Sequence, residues 1–332
     1  MTVAPSKGPD KKKIERVAGA LGIREGYVEK DWHVAQVLKA LQTVDYNGFH
    51  LVFGGGTSLS KAYGLIKRFS EDIDLRVSSA TKLPPLTGQH PKKFRHAVEG
   101  ALEEAGYPVD KTLSFRHADK MFGLCVPYER LFPIPDLRPE IKIEISFEDL
   151  KLAAQERDIQ SFIALSDKAN PEVTSLRCVD PIETAADKLA ALSWRVFEHK
   201  DLPSTRPEGD TTTKLRDRSL VRHVHDLCAL ENKVKGDANF FRLCRESVAG
   251  DENRGGASRE GRPKEAAPLL QGMCTLLAAP PFPQDYANFV QNAAYGGKPP
   301  DYMTALGAVE RLVLAIVRAA DGTMAVTQKV GV

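Results

Sequence analysis

Two aspartates one residue apart, Asp72 and Asp74, follow a run of three glycines in the segment GGGTSLSKAYGLIKRFSEDIDLRV. Glycines let a backbone come close to phosphate oxygens, and the exposed N–H groups and positive dipole end of a helix that follows them favour an anion. A triphosphate suits that turn. Because side chains alternate along a strand, Asp72 and Asp74 point the same way, while Ile73, Leu75 and Val77 point to the opposite face. Neighbouring carboxylates repel unless a cation lies between them, and hard oxygen donors together with phosphates suit Mg²⁺. A second alternating run, EIKIEISFEDL, carries Glu144. If its strand pairs beside Asp72 and Asp74, three acids on two strands complete a two-metal arrangement for in-line displacement at phosphorus. Gly55, Gly56, Thr57 and Ser58 are then the candidate phosphate contacts, Ser58 foremost, with Lys61 and Ser70 as weaker ones. Either piece alone reads as a tight turn or a solvated acidic strand; the two in phase read as a site.

The elements that must position these groups are legible in the apolar spacing. Residues 49–53 form a compact apolar run ahead of the glycines, and 57–69 predict a helix opened by Thr57 or Ser58. Residues 72–77, 121–126 and the run around Glu144 predict strands, and 92–105 an amphipathic helix. Two helices open the chain, the second with Val34, Val37, Leu38, Leu41 and Val44 at helical spacing. From Pro181 the pattern is helical almost throughout, closing on MTALGAVERLVLAIVRAA, where Met303, Leu306, Val309, Val313 and Ile316 form one apolar stripe. The expected organisation is N-terminal helices over 1–45, an α/β domain with a mixed sheet over 46–180, and a mainly helical domain over 181–332. Two polar stretches, LPSTRPEGDTTTK and GDENRGGASREGRPK, read as loops within the last of these.

With 332 residues, 42% hydrophobic and 27% charged, the chain can bury a real core and falls outside the disordered and fibrous classes. No apolar run reaches the roughly 18 residues a membrane span needs, and the N-terminus lacks the apolar block of a secretory signal, so a cytoplasmic protein is expected. Five scattered cysteines with no CxxC spacing read as reduced thiols rather than zinc ligands. His223 and His225 lack the i, i+4 spacing of a helical metal pair, and Trp194 reads as core. A net charge of +2 neither demands nor forbids nucleic acid. Lys61, Lys67, Arg68, Lys92, Lys93 and Arg95 are nevertheless candidates to frame a groove for an RNA backbone, and loop 203–217 is a further candidate contact.

The stretch G-G-T-S-L followed by R-F-S-E-D-I-D-L resembles the AbiEii-type nucleotidyltransferase toxins, which include the MenT group, within the DNA polymerase β-like superfamily. That family also carries a lysine in a helix similar to AADKLAALSWR and an aspartate in a segment similar to VRHVHDLCAL, here Lys188 and Asp226. The recognisable motifs span roughly residues 50–230. Helical spacing places Lys188, Ala191 and Arg195 on one stripe able to reach a triphosphate and neutralise leaving pyrophosphate. Asp226 can orient Lys188, bind metal indirectly or accept the acceptor's proton. The third acid is glutamate, where many polymerase β-like enzymes have aspartate. The resemblance implies a polymerase β-like core and a Mg²⁺-dependent toxin acting with an antitoxin. It implies NMP transfer from an NTP to an acceptor hydroxyl, the MenT group adding nucleotides to tRNA 3′ ends and so blocking translation. A protein or small-molecule acceptor such as an antibiotic, or an idle nucleotide- or partner-binding module, are the alternatives.

Overall fold

The computed structural model describes residues 8–320 apart from 80–85, 118–119, 136, 204, 206–209, 211, 251–261 and 264. The chain divides into two compact units, Met1–Asp180 and Pro181–Val332. The first opens with α1 (Lys11–Leu21), capped by the Asp10 carboxylate on the Lys13 N–H at 3.1 Å, and α2 (Glu25–Gln42). It continues through β1 (Asp45–Tyr46), β2 (Phe49–Gly54), α3 (Gly55–Lys61), β3 (Ile73–Ser79) and α4 (His90–Glu104). Then come β4 (Phe115–His117), β5 (Met121–Pro127), β6 (Glu140–Ser146), β7 (Gln155–Ile159), α5 (Phe162–Ser166) and β8 (Val173–Cys178).

These strands build one sheet in the order β4-β5-β6-β3-β2-β8-β7, with β1 added beside β2. The pairs β3·β6 and β2·β8 are parallel and the rest antiparallel, so the sheet is mixed. Alternation sorts its faces. Ile73, Leu75 and Val77 of β3, Ile141, Ile143 and Ile145 of β6, and Phe122, Leu124 and Val126 of β5 pack with Val34, Leu38 and Leu41 of α2 and Phe94, Val98 and Leu102 of α4. Fully burying one such side chain contributes about 1.5–3 kcal/mol. Helices thus claim that face, and the intervening polar residues Asp74, Lys142 and Glu144 fall on the other.

The second unit comprises α6 (Pro181–His199), a short 3₁₀ turn (Arg218–Leu220), α7 (Val221–Val234), α8 (Ala238–Gly250), α9 (Ala266–Ala278), α10 (Phe282–Ala293) and α11 (Tyr302–Ala320). Helix α6 packs on α7, α8 and α9, and α11 on α7 and α9. Leu306, Val309, Val313 and Ile316 of α11 are buried as their spacing predicts, but Met303 is 68% exposed. Tyr302 takes the inner place instead, because it lies one turn before Leu306 and anchors its hydroxyl on the Leu277 carbonyl at 2.7 Å. Among the described residues no helix is long and apolar enough to cross a membrane. The stretch GDENRGGASREGRPK lies almost wholly outside the described residues.

The helix predicted over 57–69 is displaced. Helix α3 begins at Gly55, so neither Thr57 nor Ser58 opens it, and it ends at Lys61. Gly64 stands just beyond at φ 61°, a left-handed backbone that cannot continue a right-handed helix. Ile66 and Phe69 are buried from the following loop instead. Strands β4, β7 and β8 and helix α5 carry no strong periodic signal and were not expected.

Candidate active site

The glycine turn and the acids meet. Gly54 closes β2 opposite Asp74 on β3, and Asp74 is in turn register-paired with Glu144 on β6. Gly55 follows at φ 68°, so close to Asp74 that an added Cβ would stand 1.8 Å from its Oδ2. No residue but glycine fits between the turn and that carboxylate. At Gly56 an added Cβ would stand 2.4 Å from the buried Arg68 guanidinium, which therefore lies directly against the turn. A cation behind exposed backbone N–H groups suits an anionic ligand.

Like charges placed side by side on neighbouring strands are destabilising. Asp74 and Glu144 nevertheless stand so, and the surrounding cations offset the cost. Lys142 Nζ lies 2.6 Å from Glu144 Oε1, and Arg138 pairs with Asp72. Arg138 also donates to Glu71 Oε1 at 3.1 Å, and Glu71 Oε2 meets Lys30 Nζ at 2.5 Å. The Lys30 side chain is wholly buried and donates as well to the Arg138 carbonyl at 3.0 Å. Burial would raise the Glu71 carboxyl, but the Lys30 and Arg138 charges outweigh it and hold it below its ordinary value. Helix α2, the loop before β3 and the loop before β6 are thereby tied together behind Asp72. Sequence reasoning missed Lys30, Glu71 and Arg138. Glu71 sits inside the motif, but its partners are 41 and 67 residues away in sequence, and no local pattern links them.

Of the other expected contacts, Thr57 is buried, donates its hydroxyl to the Asp72 carbonyl and is hydrogen-bonded to Ser70 Oγ at 2.9 Å. It fastens the turn to the start of β3, with Ser70 as its partner. Ser58 is fully buried, and its Oγ has no hydrogen-bond partner among the described residues. Lys61, expected to touch nucleotide or RNA, is directed elsewhere: its Nζ lies 2.6 Å from the buried Asp31 carboxylate and 5.5 Å from the Phe162 ring centroid. Burial pushes Asp31 up, against the pull of Lys61. Lys92 and Arg95 do not frame the acids either. With Phe122 and Phe147 they line a cavity of about 310 Å³ on the α4 side of the sheet, the face opposite Asp74 and Glu144.

In the helical unit, Lys188 Nζ on α6 lies 2.9 Å from Asp226 Oδ2 on α7. Asp226 is wholly buried, and His225 Nδ1 approaches its other oxygen at 3.4 Å. The Lys188 ammonium is thereby held against a buried carboxylate. Arg195 pairs with Asp217, whose carboxyl burial would raise but which the Ser219 hydrogen bonds and Arg195 hold below its ordinary value.

For a metal ion, the donor chemistry fits: carboxylate oxygens from adjacent strands share one face beside an anion-favouring turn. The side chains as they stand rest on Arg138 and Lys142, and among the described residues no three carboxylate, imidazole or thiol groups converge as a ready cage.

A phosphate-type turn abutting register-paired carboxylates on a mixed sheet defines a nucleotidyltransferase-like site. The model of the family described as "Nucleotidyl transferase AbiEii toxin, Type IV TA system" matches residues 38–308. The chain belongs to that family of nucleotidyltransferase toxins from type IV toxin–antitoxin systems, which implies an NTP substrate and an antitoxin partner. Among solved structures it is similar to MenT4, a nucleotidyltransferase toxin from Mycobacterium tuberculosis H37Rv, at 19% identity and TM-score 0.42 over 96% of this chain and 100% of that one. It is also similar to JHP933 from Helicobacter pylori, at 15% identity and TM-score 0.44 over 90% and 95%. No curated protein matches the sequence.

Proposed function

We propose that the protein transfers an NMP from an NTP to the 3′-terminal hydroxyl of an RNA, with tRNA as the acceptor, in the cytoplasm and with Mg²⁺, and that it inhibits translation by doing so. The observation that carries this reading is the register row Gly54–Asp74–Glu144, with Gly55 pressed on the Asp74 carboxylate. The tRNA acceptor and the loss of translation rest on the resemblance of the motifs to the MenT group.

In this mechanism Asp72, Asp74 and Glu144 hold Mg²⁺, which when bound supplies charge neutralisation at the reacting phosphate and the leaving oxygen. Gly55 and Gly56 bring backbone N–H groups to the triphosphate, backed by the Arg68 guanidinium. The acceptor oxygen bonds to the α-phosphorus as the bond to the β-bridging oxygen breaks, the pyrophosphate carries away the charge, and a carboxylate of the row takes the hydroxyl proton. On the resemblance of the motifs, Lys188, whose Nζ lies 2.9 Å from Asp226 Oδ2, is a further residue of this reaction.

The test uses purified wild type and Asp74→Ala, each labelled NTP, total tRNA, and Mg²⁺ or a chelator. Label entering the tRNA fraction with wild type and Mg²⁺ alone is expected. Equal labelling by both proteins, or label appearing only in protein or small molecules, refutes the proposal.

A further inference from the structure

The register row extends past the acids. Phe115 on β4 pairs with Gly123 on β5, and Gly123 pairs with Glu144 on β6, so one line of residues crosses the sheet as Phe115, Gly123, Glu144, Asp74 and Gly54. Paired residues share a face, so Phe115 stands on the acid side. Its ring leans over β5, where a Cβ added at Gly123 would stand 2.1 Å from it. Gly123 is therefore the vacancy that lets the ring lie about one strand spacing, roughly 4.8 Å, from the column of Glu144. Lys142 Nζ lies 5.6 Å from the ring centroid while holding Glu144. Phe115 is nonetheless 37% exposed. A part-exposed aromatic side chain beside an ammonium and the acid row is poorly explained by stability alone.

We propose that Phe115 is the platform on which the 3′-terminal base of the RNA acceptor stacks, with Lys142 beside it for the adjoining phosphodiester. This rests on the nucleotidyl-transfer reading above. In an in-line displacement the leaving group and the nucleophile depart and arrive on opposite sides of phosphorus. The glycine turn, which takes the triphosphate, lies on the β2 side of the acids, so the acceptor arrives from the β5–β4 side, where the ring is. A base offers the flat π-face that an aromatic ring recognises without regard to sequence, with a phosphate next to it for the ammonium.

The probe is a short single-stranded RNA ending in CCA, and a matched one with an abasic 3′-terminal residue. Binding is measured by fluorescence anisotropy for wild type, Phe115→Ala, Phe115→Trp and Gly123→Ala, and NTP binding by calorimetry on the same proteins. Phe115→Ala should weaken the CCA oligonucleotide by roughly 5- to 150-fold, the range for losing one base–aromatic stack. Phe115→Trp should retain binding, and Gly123→Ala, which displaces an unchanged ring, should weaken it. Wild type should bind the abasic oligonucleotide as weakly as Phe115→Ala binds the intact one, and NTP affinity should stay within about twofold. Unchanged oligonucleotide affinity in Phe115→Ala, or a loss confined to NTP, overturns the proposal; should Phe115→Ala fail to fold, equal binding of abasic and intact oligonucleotides by wild type does so. Ring-dependent binding without label transfer leaves the platform standing and sinks the transfer reading. Transfer indifferent to Phe115 does the reverse.

Discussion

Gly55→Ala separates backbone strain from damage to the site, because Gly64 supplies a control for the strain. Both residues hold left-handed backbone, at φ 68° and 61°. Placing alanine there costs about 1–2 kcal/mol at either position, with the same small offset from a stiffer unfolded chain. At Gly64 an added Cβ meets nothing within 4 Å, whereas at Gly55 it stands 1.8 Å from Asp74 Oδ2 and 2.6 Å from its Cγ. Ordinary non-bonded separations are about 3.5 Å, so the Asp74 carboxylate must retreat by roughly 1.7 Å or the turn must open. A misplacement of about 1 Å in a reacting constellation costs on the order of 100-fold in rate. Gly64→Ala should therefore lower unfolding free energy in urea by about 1–2 kcal/mol and leave nucleotidyl transfer unchanged. Gly55→Ala should lose as much stability or somewhat more, and lose transfer by about 100-fold or beyond. Transfer by Gly55→Ala within a few-fold of Gly64→Ala would show that the contact between turn and carboxylate does not position the chemistry.

Lys188→Ala leaves the wholly buried Asp226 carboxylate without its ammonium and should cost about 3–5 kcal/mol in urea unfolding. The paired variant Lys188→Met with Asp226→Leu removes both charges and should recover most of that stability while remaining inactive, whereas transfer restored along with stability would make the pair structural. Acid stability reports on His33, fully buried on α2 with Nδ1 2.9 Å from the Tyr107 hydroxyl, where burial lowers the imidazole to about 4. The unfolded chain then binds the proton first, so stability is lost as pH falls from about 6.5 and the loss levels off below about 4. At pH 5 it should amount to about 2 kcal/mol relative to pH 7.5. His33→Gln should remove that part of the slope, and identical pH profiles for the two proteins would exclude it.

The acids themselves were legible in the chain because alternation is local. Asp74 must turn away from Ile73 and Leu75 on β3, although that strand begins one residue after Asp72, and Ile141, Ile143 and Ile145 announce a second strand with Glu144 turned the other way. The same logic predicts the stripe of α11 and fails at Met303, where Tyr302 wins the inner position by securing a hydrogen bond far away in sequence. Thr57 and Lys61 show the limit more sharply. A hydroxyl and an ammonium beside a glycine turn suit phosphate contacts by type, yet Thr57 is spent fastening the loop to β3 and Lys61 on Asp31. Their partners come from other segments, and residue type alone says nothing about which buried carboxylate needs a cation.

What the amino-acid sequence determined by itself is the chemistry on offer: a turn built for an anion, two carboxylates in phase, a third on its own strand, and a helical second half bearing Lys188 and Asp226. Only the tertiary structure decided that β3 lies parallel to β6 with Asp74 beside Glu144, that Gly55 presses on Asp74, that Lys30, Glu71 and Arg138 lock Asp72 from behind, and that Phe115 continues the row. The physical reason is range. Periodicity and glycine geometry act within a few residues, whereas strand order, register and the pairing of buried charges are settled by burying one face of the sheet under α2 and α4, a requirement of the whole core.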